Sequence, residues 1–118
     1  HALSSVKKWG GIYETYLPIH QWFDRSKELF GDFRHRALYH HTHGIFECER
    51  EFGDTIELVE LIDNKLVTLG RKIPTKWIAE QHVIEDCGFI PSVSDWLINI
   101  AAQPWMNKPQ KLSKELGD

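Results

Sequence analysis

The sequence is poor in several things. It has two cysteines, Cys48 and Cys87, in 118 residues. Two thiols cannot build a disulfide framework, so the expected setting is a reducing cytoplasm. Apolar runs are only a few residues long, so neither a transmembrane span nor a secretory segment is expected. No sign of charge dominates: 14 basic against 17 acidic side chains leave −3. That balance argues against nucleic acid or an anionic membrane as a partner. Gly10-Gly11 lacks any surrounding phosphate-loop pattern. There is no internal repeat and no low-complexity block. What remains is a chain of ordinary globular composition, long enough for one domain.

Histidine and tryptophan stand out instead, with seven and five copies. Four histidines crowd together at His35, His40, His41 and His43.

Hydrophobic periodicity and end signals predict a mainly α (α+β) fold. It is a compact helical domain of about four to five helices with one β-hairpin insertion. Ala2 to Trp9 reads as a short helix stopped by Gly10-Gly11. Pro18 reads as a first helical position, opening a helix to Phe30. Asp32 reads as the N-cap of the longest element, one unbroken helix from Phe33 to about Phe52. Residues 55–69 alternate around Asp63-Asn64 as a hairpin. A further helix spans Thr75 to Asp86 or Cys87, stopped by Gly88. Ser92 and Asp95 form a shorter-acid capping box for a last helix through Ile100. The domain is expected over 1–106, with a polar tail over 107–118. Trp22, Trp77 and Trp96 are expected as core anchors, with Trp105 folding back or meeting a partner.

On a continuous 33–52 helix the four clustered histidines do not share a face. His41 falls in the middle of the apolar face. His40 falls on its flank beside Arg36 and Glu47, and His35 and His43 point away. Elsewhere His20 and Asp24 are i and i+4, and His82, Glu85 and Asp86 are i, i+3 and i+4. Three helices thus each offer an imidazole with a nearby carboxylate. Facing helices can build a metal site from such groups. The expected metal ligands are His20, His40, His41, His82, Asp24, Glu47 and Glu85. Mixed His/carboxylate ligation suits Zn, Fe, Mn or Ni. Arg36 and His35 are the candidates for a substrate phosphate. A Cys48/His41 nucleophile pair is disfavoured, because i and i+7 stand about 10 Å apart along a helix.

Several stretches carry a family resemblance. They are Leu17-Pro18-Ile19-His20-Gln21-Trp22-Phe23-Asp24, Asp32 to Ala37, His40-His41 followed by Gly44-Ile45, and Glu80-Gln81-His82-Val83. Pro91 with Asp95-Trp96-Leu97, and Gln103-Pro104-Trp105-Met106, add to them. With these the chain resembles a small uncharacterised family, a domain of unknown function in bacterial and phage proteins. The resemblance brings no activity. It implies a pattern that includes histidines 20, 35, 40, 41 and 82 and acids 24, 85 and 86, and leaves out His43 and both cysteines.

Two readings follow. One is a cytoplasmic protein with an interhelical His/carboxylate centre that binds a divalent transition metal and hydrolyses a phosphate ester. The other is a non-enzymatic interaction module of phage or mobile-element origin, its histidines forming a buried hydrogen-bond network. The partner is accordingly a small molecule or a protein.

Overall fold

The computed structural model describes residues 1–107, so nearly all of the expected polar tail lies outside the described residues. The described chain holds α1 (Ala2–Trp9), α2 (Tyr13–Asp24), α3 (Arg36–Tyr39), α4 (Thr42–Phe52), β1 (Thr55–Ile62), β2 (Lys65–Pro74), α5 (Thr75–Cys87) and α6 (Val93–Leu97). Short 3-10 turns lie at Arg25–Glu28, Phe33–His35 and Pro104–Asn107. The helical domain with one hairpin is therefore what the chain forms. None of the described helices is long and apolar enough to cross a membrane.

Of the two helices that carry the site, α5 follows expectation and α2 is shifted towards the N-terminus. α2 starts at Tyr13, five residues before Pro18, which sits inside the helix. Proline inside a helix forfeits one backbone hydrogen bond. Here the buried stripe of Tyr16, Ile19, Trp22 and Phe23 holds the turn together around it. The helix ends at Asp24, and Leu29 and Phe30 are exposed rather than on its apolar face. α5 runs to Cys87 and stops at Gly88, whose φ of +82° is left-handed and suits glycine. It buries Ile78, Ala79, Val83 and His82 against α2 and α4.

The expected 33–52 helix is broken. His40 leaves the helical region, His41 is extended at φ −162°, and a new helix starts at Thr42. His41 Nδ1 accepts from the Gly44 N–H at 3.0 Å, so the imidazole serves as an N-cap. That satisfies an amide which a helix start leaves unpaired. Thr42 N–H bonds Pro91 O at 2.9 Å, tying the corner to the segment before α6. Gly44 allows the corner: a Cβ there would stand 1.7 Å from Tyr39 O.

The hairpin pairs β1 with β2 through Asp63-Asn64, both at positive φ, as a two-residue turn of primed type requires. It is longer than 55–69 and carries an irregularity between Glu57 and Val59. Its base enters the core through Leu58 and Ile73, while Leu61, Ile62 and Leu66 near the turn are exposed. α6 has the full Ser92–Asp95 capping box but ends at Leu97, short of Ile100. Trp22 is buried, Trp77 is half exposed, and Trp105 is exposed. Trp96 donates its Nε1–H to His40 O at 2.8 Å.

Candidate metal centre

The broken helix decides the site. The turn at His40 swings its ring inward between α2 and α5, where it is fully buried. There it meets His82 of α5: the two Nε2 atoms are 3.1 Å apart. Asp86, one turn after His82, brings Oδ2 to 2.9 Å from His40 Nε2 and 3.2 Å from His82 Nε2. Asp24 at the end of α2 brings Oδ1 to 3.4 Å from His82 Nε2 and 3.7 Å from His40 Nε2. Asp24, His40, His82 and Asp86 thus bring four donor atoms within 4.8 Å of one another. A tetrahedral ion with ligands about 2.0–2.1 Å away needs donor separations of about 3.3–3.4 Å. The observed separations bracket that figure.

Proton counting sharpens this. Gln81 Nε2 donates to Ser4 Oγ and Glu85 Oε1, at 2.8 and 2.9 Å, which fixes its amide orientation. Its Oε1 therefore accepts the Ser5 hydroxyl proton at 2.6 Å. Ser5 Oγ must then accept from His20 Nε2–H, at 2.8 Å. His20 Nδ1 is left bare, 2.9 Å from His82 Nδ1, which must donate to it. In its neutral form, with one N–H, His82 presents a bare Nε2 where the two carboxylates converge. In that form His40 Nε2 is the imidazole nitrogen that supplies a proton to the group, and Asp86 Oδ2 takes it at the shortest distance. Asp24 Oδ1 is buried and has no hydrogen-bond partner. A buried carboxylate oxygen without a partner is costly, and a cation would relieve it.

Burial, then the neighbouring His82, pushes His20 down to about 3 and His40 down to about 4. Both rings are therefore neutral near pH 7, as a metal ligand must be. Burial pushes the Asp24 carboxyl up, but positive charge facing it, from Lys27 and from His82 and His40 whenever they are protonated, holds it below its ordinary value.

The expected ligands fall into two sets. His20, Asp24, His40 and His82 come together. His41 does not join them: its Nε2 meets Leu38 O at 3.0 Å while Nδ1 caps α4. Glu47 lies apart on α4, with Arg50 at 3.2 Å and His43 at 3.7 Å. Glu85 flanks the centre, its Oε2 2.6 Å from His1 Nδ1. His35 is buried instead of pointing away, its ring edge-on to His40. Arg36 reaches Asp86 through Nη1 to the backbone O at 3.3 Å and Nη2 to Oδ1 at 3.9 Å. Two members were absent from the expected ligand set. The spacing His82-x-x-x-Asp86, which repeats His20-x-x-x-Asp24, was the signal for Asp86. No sequence signal marked His1, whose Nε2 lies 3.0 Å from Asp86 Oδ1.

A cavity of about 280 Å³ adjoins the centre, lined by Phe33, Arg36, Asp86, Phe89, Pro91 and Trp96. Burial raises the Cys48 thiol to about 12, which rules out a thiolate nucleophile at neutral pH.

The model of a domain of unknown function, DUF6915, matches residues 1–106. The chain belongs to this family. Neither curated proteins nor solved structures offer a match to it.

Proposed function

We propose that this protein binds a divalent transition metal through His40, His82, Asp24 and Asp86. The observation that carries the reading is the buried, unpartnered Asp24 Oδ1 among three other converging donors. Two nitrogens and two oxygens without thiolate suit Zn, Fe, Mn or Ni, and the near-tetrahedral spacing favours Zn. The cytoplasm is the proposed location, where Cys48 and Cys87 stay as free thiols. The resemblance to bacterial and phage proteins is consistent with it.

The finer reading is metal-assisted hydrolysis of a phosphate ester. A divalent cation supplies Lewis acidity and an activated water. Support comes from the cavity, which reaches the centre at Asp86 and carries Arg36 on its wall. The Arg36 guanidinium is suited to a phosphate, and its Nε is buried without a partner. The apolar wall of Phe33, Phe89 and Trp96 would hold the organic part of the ester.

An interaction module is the second reading. The exposed Leu61, Ile62 and Leu66 of the hairpin and the exposed Trp105 favour it.

Elemental analysis of protein purified without a histidine tag tests the first reading. At least one equivalent of metal is expected, removed by chelator, lost in His40→Ala and His82→Ala, and kept in Glu47→Ala. No metal in the wild type, with those histidine variants only destabilised, would leave the interaction module standing.

A further inference from the structure

The four-donor group uses only one nitrogen of His82. The other, Nδ1, points the opposite way, to His20 Nδ1 at 2.9 Å. A ring nitrogen of His1 completes a second group with His20 and His82, with the ligand atoms within 4.8 Å of one another. The His1 ring lies over His82, with centroids 4.3 Å apart, and over His20 at 5.6 Å. Its own partners are carboxylates, Glu85 at 2.6 Å and Asp86 at 3.0 Å. Both ring nitrogens of His1 thus face carboxylates; on ligation one of them would exchange its carboxylate for the ion, and the other carboxylate would keep orienting the ring.

The Ser5–Gln81 pair bears on this second group directly. It compels His20 to carry its proton on Nε2, so that a lone pair on Nδ1 faces His82. In the protein without metal that lone pair is met by the His82 Nδ1–H. One proton therefore lies between two ring nitrogens, with the His1 ring against both imidazoles. An ion about 2.0–2.1 Å from both nitrogens would sit beside the line that joins them and would take the place of that proton.

We infer that the centre is dinuclear, with the His82 ring bridging two divalent ions: Nε2 serves the ion of Asp24, His40 and Asp86, and Nδ1 serves a second ion held with His20 and His1. The inference rests on the proposed metal-binding reading and extends it. Filling the second position displaces the His82 Nδ1 proton to solvent, leaving a bridging imidazolate. The second equivalent therefore releases one more proton than a solvent-exposed site would. Both ions then lie near Asp86, whose Oδ2 faces the first group and Oδ1 the His1 ring.

Titration of the chelator-treated full chain with Co(II), and separately with Cu(II), tests this. Two equivalents are expected in the wild type, one in His20→Ala, and none at high affinity in His82→Ala. Ser5→Ala keeps every ring but frees the His20 tautomer. It should weaken the second equivalent by about 10–100-fold and leave the first unchanged. The fully Cu(II)-loaded protein should show an exchange-coupled magnetic resonance spectrum. A single equivalent in the wild type, abolished by His40→Ala and unaffected by His20→Ala, would overturn the dinuclear inference and leave the mononuclear reading intact. Two equivalents with uncoupled spectra would overturn the bridge. Equal weakening of both equivalents in Ser5→Ala would contradict the separate role of His20. No binding at all would overturn both readings.

Discussion

Between α2, the His40 corner and α5, three fully or nearly buried imidazoles and two carboxylates share a small volume. At the far end of the hairpin, Leu61, Ile62 and Leu66 stand in solvent. The two regions invert the usual rule that apolar groups are inside and ionisable ones outside. Their local chemistry explains the difference. The hairpin turn needs no core: Asp63-Asn64 and the β1–β2 ladder hold it, and its base is anchored by Leu58 and Ile73. The centre has no comparable local support. It is held by the helices that pack around it, and without a cation its donors outnumber its protons. The chain tolerates this unfavourable burial at the centre alone of the two, since ionisable groups in a core destabilise unless paired.

The sharpest way to break the centre without touching a ligand is Gly44→Ala. The added methyl collides with Tyr39 O, so the corner that aims His40 inward must open. We expect a loss of about 3 kcal/mol or more in denaturant unfolding, together with loss of metal. A Gly44→Ala protein with normal stability and metal content would show that the corner does not position His40.

Acid should act on the centre and spare the hairpin tip. His20 and His40 are held far below the unfolded value of about 6.5, at about 3 and about 4. Groups with depressed values bind protons more readily when unfolded. The stability they confer is therefore full above about pH 6.5 and falls as pH drops through the window toward about 4 and then 3. Asp24, Asp86 and Glu85 face these rings and oppose the effect by favouring imidazolium; Lys27 lies next to Asp24. In chelator-treated protein the urea midpoint should fall steadily from about pH 7 to about pH 5. A flat profile would mean that the rings are not buried neutral.

The smallest effect is expected at the hairpin. Leu61 and Leu66 are cross-strand partners, and replacing both with lysine should change stability by less than about 0.5 kcal/mol each. Metal content should not change. A larger loss, or a loss of metal, would show that the two regions are coupled.

The same contrast describes how much was legible in the sequence. Elements with strong local signals were readable: the Asp63-Asn64 hairpin, the Gly88 stop and the Ser92–Asp95 cap. So were the repeated His-x-x-x-Asp spacings, because i and i+4 neighbours depend only on local helix geometry. The His40–His41 corner was not. It contains no proline or glycine at the break itself; a histidine N-cap and the close approach of Gly44 to Tyr39 are unusual local signals, and the Thr42 bond to Pro91 and the Trp96 bond to His40 O that fix the corner are tertiary. Treating 33–52 as one helix gave His41 the inward role that His40 holds and turned His35 outward. A single change in backbone direction reassigned every histidine before and at the break. His1 was unreadable for a related reason, since only the docking of α1 brings it to Glu85 and Asp86.

In the proposed centre the ion sits on imidazole nitrogen and carboxylate oxygen from α2, the His40 corner and α5. X-ray absorption at the metal edge of zinc-loaded protein reads this shell. A first shell of nitrogen and oxygen at about 2.0–2.2 Å is expected, with outer-shell scattering from imidazole that is reduced in His40→Ala. A sulfur shell at about 2.3 Å, or a first shell of water alone without imidazole scattering, would contradict it.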